Sequence, residues 1–238
     1  MAESILKADE TIREVFGQIK TTLRAQAEIG LETPPLSSSS LEYMGRGPAH
    51  PQSLEALREY IGDCERCKLH LSRNQLVFGE GDSTARLVFV GEGPGRDEDR
   101  AGRPFVGEAG KLLDKIIRAM GLTRGEVYIC NVVKCRPPKN RDPEGDEVAQ
   151  CLSFLEQQIQ MIRPEVICCL GRVACQALLA SDFKIKSGRG KWHAAMGIPV
   201  MPTYHPAYLL RYPSEKRQAW EDVKEIMKQL GLEVKSDD

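Results

Sequence analysis

Four short apolar runs constrain this chain more than any other feature: Leu87–Val90, Val127–Val132, Val166–Leu170 and Pro199–Tyr204. Each has the length and composition of a buried strand. Helical patterns separate them. Lys111–Met120 stops at Gly121, Asp142 and Pro143 suit the cap and first turn of a helix running to Ile162, and Arg172–Ala180 follows Gly171. Alternating strands and helices predict an α/β fold, a three-layer α/β/α arrangement with a central four-stranded parallel sheet.

The chain of 238 residues is long enough for one good-sized domain and an appendage. Ile5, Ile12, Val15, Phe16, Ile19 and Leu23 recur at helical spacing, and Thr33–Pro51 is rich in Pro, Ser and Gly. The expected division is therefore a helical extension and flexible linker over residues 1–52 and a catalytic domain over 53–238. The extension reads either as a contact element for a protein partner or as a weakly docked appendage without chemistry. No apolar run reaches the roughly 18 residues a bilayer requires, and Met1–Glu10 lacks the order of a signal peptide, so a soluble, cytoplasmic monomer is expected.

In open parallel sheets, ligands bind beyond the carboxyl ends of the strands. That rule singles out Glu92, Asn131, Gly171 and His205. Gly91-Glu92-Gly93-Pro94-Gly95 follows a strand but is no dinucleotide fingerprint: Arg96 stands where its third glycine belongs, and Asp97, Glu98 and Asp99 would repel a pyrophosphate. The glycines instead let backbone and one carboxylate approach a flat ligand closely.

In a reducing compartment the eight cysteines point to thiolate ligation rather than to disulfides. Cys64 and Cys67 form a C-x-x-C pair, Cys135 follows the second strand, and Cys151 lies in the next helix. On spacing alone, a zinc ion and an iron-sulfur cluster are equally admissible. Cys130, Cys168, Cys169 and Cys175 read as core residues.

Gly91–Gly95, Gly102-Arg103-Pro104-Phe105-Val106-Gly107, Asn131-Val132-Val133-Lys134-Cys135-Arg136-Pro137-Pro138 and His205-Pro206-Ala207-Tyr208-Leu209-Leu210-Arg211 together resemble the ordered motifs of family 4 uracil-DNA glycosylases, from about Cys64 to Leu230. The resemblance implies a 4Fe-4S cluster on Cys64, Cys67, Cys135 and Cys151. It also implies excision of uracil from single- or double-stranded DNA, in base excision repair of deaminated cytosine. Gly93 stands where classical uracil glycosylases carry a catalytic aspartate. By resemblance Glu92 aligns water, and Glu98 crowds the C5 edge of the base to exclude thymine.

Base-flipping chemistry gives the other residues expected roles. Phe105 stacks on the base, Asn131 reads its edge, Gly91 and Gly93 line the pocket, and His205 stabilises the departing anion. Although the net charge is −1, basic residues cluster at Lys134–Arg141 and Lys184–Lys191. Lys134, Arg136, Lys184, Lys186, Arg189, Lys191 and Arg211 are accordingly expected on DNA phosphates, with the Leu209–Leu210 turn entering the gap left by the base. Two rival functions remain open: a glycosylase of hypoxanthine or xanthine, and a non-catalytic iron-sulfur DNA-binding or redox module.

Overall fold

The computed structural model describes residues 51–234, so the expected N-terminal helix and nearly all of the linker lie outside the described residues. In chain order the elements are α1 (Leu54–Ile61), β1 (Glu80–Gly81), β2 (Leu87–Gly91), α2 (Arg96–Ala101), α3 (Glu108–Ala119), β3 (Tyr128–Asn131), α4 (Gly145–Ile162), β4 (Val166–Leu170), α5 (Arg172–Leu178), α6 (Ile185–Gly188), β5 (His193–Ala195), β6 (Ile198–Thr203), α7 (Pro206–Arg211) and α8 (Lys216–Gln229).

The four expected strands form the parallel centre of one sheet, in the order β3-β2-β4-β6. Two additions complete it. β1 and β5 pair antiparallel at its edges, and their shortness limits the unpaired backbone groups that an edge exposes. Every residue of β2, β3 and β4 is buried, as expected of strands covered on both faces.

Alternation along each strand divides the core. Val88, Val90, Ile167 and Cys169 face α1, α4 and α5, whereas Leu87, Phe89, Val166 and Cys168 face α3 and α8. On α3, Leu113 and Ile117 supply the buried stripe; on α8 it is Val223, Ile226 and Met227. Fully burying one such side chain stabilises the fold by about 1.5–3 kcal/mol. Cys130, Cys168, Cys169 and Cys175 are all core residues with no exposed surface.

One local expectation needs correction, and one further helix is found. Helix α4 starts at Gly145, because Glu147 reaches back to accept the Glu144 backbone N–H at 2.8 Å; Asp142 instead pairs with Arg172. A helix also follows Pro94: Asp97, Glu98 and Asp99 occupy the first turn of α2, where acidic side chains favour the helix dipole. No helix is long and apolar enough to cross a membrane among the described residues.

Candidate active site

The parallel register sets Gly91 beside Asn131 at the carboxyl ends of β2 and β3. There the sheet opens into a cleft of about 570 Å³ whose lining includes Glu92, Gly93, Glu98, Phe105, Asn131 and His205. Three of the four strand-end residues thus converge; Gly171 instead backs His205 from behind.

Asn131 is 1% exposed, and its Oδ1 has no hydrogen-bond partner among the described residues. A β-carbon at Gly91 would lie 2.4 Å from that oxygen and 2.6 Å from Cζ of Phe105, so only glycine admits both groups. Any side chain at Gly93 would likewise meet Cγ2 of Val133, at 2.7 Å.

Phe105 is buried and takes a left-handed backbone, φ 50°, which is strained for a bulky residue. Glu98 holds the turn: its Oε1 accepts the backbone N–H groups of Val106 and Gly107 at 2.9 and 2.8 Å. The Phe105 ring lies 5.6 Å from that of His205, tilted by 33°.

His205 caps α7, with Nδ1 accepting the Ala207 N–H at 3.1 Å. This bond leaves the proton of the neutral ring on Nε2. Burial, aided by nearby Arg211, lowers the His205 pKa to about 4. Glu92 moves the other way: burial and the charge of Asp142 raise it to about 7, against the pull of Arg172. The site therefore pairs a neutral imidazole with a carboxyl group that titrates near neutrality.

The four ligand-candidate cysteines gather elsewhere. Cys64, Cys67, Cys135 and Cys151 line one small cavity beneath Phe154. N–H donors reach three of the sulfurs: Arg66 at 3.4 Å from Cys64, Arg73 at 3.3 Å from Cys135, and the Lys134 backbone at 3.3 Å from Cys151. Among the described residues, no three His, Cys, Asp or Glu side chains stand where they could hold a single metal ion.

The basic residues separate into two groups. Lys184, Lys186, Lys191 and Arg211 are exposed, Arg136 is half-buried, and only Arg211 of these lines the cleft. Two expectations fail. Lys134 is 1% exposed and donates to the Asn131 carbonyl at 2.8 Å and to Gln158 Oε1 at 2.5 Å, so it cannot reach a phosphate. Arg189 is held by Asp222 and Gln218 and lies over the Tyr204 ring. Leu209 is buried too, leaving Leu210 as the exposed leucine of the turn.

The cleft also contains residues to which the sequence assigned no part in the site, Asn140, Asp142 and Tyr208 among them. Asn140 and Asp142 lie in the segment between β3 and α4, and Tyr208 lies on α7 three residues past His205.

A family model described as the uracil DNA glycosylase superfamily matches residues 78–224. The chain is 47% identical over 176 residues to a type-4 uracil-DNA glycosylase of Thermotoga maritima, covering 71% of this chain and 91% of the relative. A type-4 uracil-DNA glycosylase of Archaeoglobus fulgidus is 43% identical over 188 residues, covering 76% and 94%. A type-5 enzyme of Pyrobaculum aerophilum is more distant, 34% identical over 148 residues, or 54% of this chain and 64% of its own length.

Proposed function

The chain belongs to the uracil DNA glycosylase superfamily, in its type-4 branch, and from that membership we propose how its residues release uracil from DNA. It hydrolyses the N-glycosidic bond of uracil in DNA, a step of DNA repair. Residues 53–238 are read as the catalytic domain.

The observation that carries the residue-level reading is the unpartnered Oδ1 of Asn131, buried in the cleft beside Phe105. Leaving a buried acceptor unsatisfied costs about 1–3 kcal/mol, a cost that a ligand N–H removes. Uracil offers N3–H to that oxygen and O4 to the amide N–H₂, whereas cytosine presents the reverse pattern. Phe105 stacks on the flipped base.

Hydrolysis breaks the bond between C1′ and N1, and the electron pair leaves with uracil as an anion. Water adds to C1′, and its proton balances the departing charge. His205, neutral and bearing its proton on Nε2, donates to the uracil oxygen on which that charge gathers. Glu92, as carboxylate, aligns the water and opposes the positive charge of the sugar. Glu98 holds the Phe105 turn and thereby shapes the pocket edge near C5.

Four thiols around one cavity, with N–H donors on three of the sulfurs, suit an anionic metal-thiolate centre, and the type-4 relatives favour an iron-sulfur cluster as its occupant. We read Cys64, Cys67, Cys135 and Cys151 as ligands of a 4Fe-4S cluster. When bound, the cluster supplies cross-linking of three chain segments and no group to the reaction. Arg136, Lys184, Lys186, Lys191 and Arg211 are assigned to DNA phosphates.

The deciding experiment combines Asn131→Asp with oligonucleotides that each hold one uracil, hypoxanthine, xanthine or cytosine. Wild-type protein should leave alkali-labile sites only at uracil. The variant places an acceptor opposite O4, and single-turnover release should fall by about tenfold or more. Equal release by variant and wild type would remove Asn131 from base reading, and wild-type release of purines in preference to uracil would replace the substrate.

A further inference from the structure

Three tyrosines four residues apart form a ladder that leads out of the cleft. Tyr204, directly after β6, is 7% exposed; its ring lies 4.9 Å from that of Tyr208, at 29°. Tyr208 lines the cleft and lies 4.6 Å from Tyr212, at 37°. Tyr212 is 52% exposed. The inner end is fixed, because Arg189 covers Tyr204 at 5.2 Å and is itself held by Asp222. A run of stacked rings is thus anchored at its inner end, with its outermost ring in solvent and its middle ring in the wall of the substrate cleft.

We propose that the exposed end of this ladder, Tyr212, is a stacking site for the nucleobase adjacent to the flipped uracil in single-stranded DNA. The inference rests on the uracil-in-DNA reading and adds a second base-binding position to it. Three observations favour a nucleobase as occupant: the ladder continues the cleft wall, cationic Arg211 beside it also lines that cleft, and Lys216 and Arg217 are exposed just beyond. Every base has a π-face, and a prepositioned ring binds it with little loss of side-chain freedom. Strand state decides the benefit. In a duplex the neighbouring base is already stacked and paired, whereas in a single strand it has a face to offer.

The test is anisotropy binding to oligonucleotides bearing 2′-fluoro-deoxyuridine, which resists cleavage, in single-stranded and duplex form. Tyr212→Ala should weaken single-strand binding by about 5- to 150-fold, the range of one base-aromatic stack, and leave duplex binding unchanged. Tyr212→Phe should bind as wild type does. Tyr60→Ala removes an exposed tyrosine on α1 and serves as the control. Replacing the base 5′ or 3′ of the uracil by an abasic spacer should, on one side, weaken wild type as much as Tyr212→Ala does, without adding to that variant's loss. Unchanged single-strand affinity, equal losses on both DNA forms, or losses that add to the spacer's would each overturn the platform. Uracil release by wild type is scored separately: release with an unimpaired Tyr212→Ala defeats the platform alone, whereas no release defeats the function on which it rests.

Discussion

The side-chain nitrogen of Lys134 lies 2.8 Å from the backbone carbonyl of Asn131, inside the protein rather than on its surface. Its second acceptor, Gln158, donates in turn to the Phe78 carbonyl and the Tyr128 hydroxyl. Lys134→Met strands two buried acceptors, at about 1–3 kcal/mol each. Urea unfolding should show a loss of about 2–6 kcal/mol, and the dependence of DNA affinity on salt should keep its slope. Lys186→Gln should leave stability alone and lower that slope by about 0.7–0.9. A shallower slope for Lys134→Met would mean that its side chain meets phosphate after all.

The pH dependence separates Glu92 from His205. Uracil release should rise with pH through about 7 as the Glu92 carboxylate forms, and Glu92→Gln should lose that limb. His205, with its pKa lowered to about 4, should add no limb at neutral pH.

Stability carries a second signature of the same shift. Because the Glu92 pKa is raised by folding, its contribution is full below the unfolded value of 4.5 and is lost as pH climbs through 7. Glu92→Gln should therefore gain melting temperature relative to wild type across that window. His205 works in the opposite sense: its contribution is full above 6.5 and is lost as pH falls toward 4. A difference in melting temperature that is flat with pH would contradict the Glu92 shift.

Metal analysis addresses the cysteines. Purified protein should be brown and contain iron and acid-labile sulfide in equal amounts. Cys135→Ala should lose both together with much of the soluble protein; Cys175→Ala, in the core facing α4, should keep them. Zinc without sulfide would overturn the cluster.

Glu98 offers two roles that a conservative change can part. Glu98→Gln keeps one acceptor for the turn after Phe105, whereas Glu98→Ala keeps none. Uracil release should fall modestly in the first and by about tenfold or more in the second. If Glu98→Gln instead retains full uracil release and gains thymine release, exclusion at C5 is its whole contribution.

Long-range pairing marks the boundary of what could be read in advance. The parallel strands were legible because each is a short, mostly apolar run, and Glu92, Asn131 and His205 because they lie at or just beyond the ends of such runs. Edge strands of two and three residues leave no periodic trace. Helices α2 and α7 were hidden by prolines that resemble breakers, although Pro206 occupies the first turn of α7, where proline is tolerated. Amphipathic α8 spreads Ala219, Val223, Ile226 and Met227 among charges and went unassigned. Nothing in a run of basic residues distinguishes Lys134, which folds back on its own strand, or Arg189, whose carboxylate partner lies 33 residues away.

Those internal commitments extend further. Arg141 is clasped by Glu147, Arg172 by Asp142 and Arg189 by Asp222, so much of the cationic character around the cleft is consumed within the protein. Each cation so engaged is one fewer to displace counterions from DNA, which leaves the phosphate contacts to the exposed Lys184, Lys186, Lys191 and Arg211 and to Arg136. The salt dependence of binding should therefore report these side chains and be insensitive to neutral replacement of Arg141, Arg172 or Arg189, beyond any loss of stability.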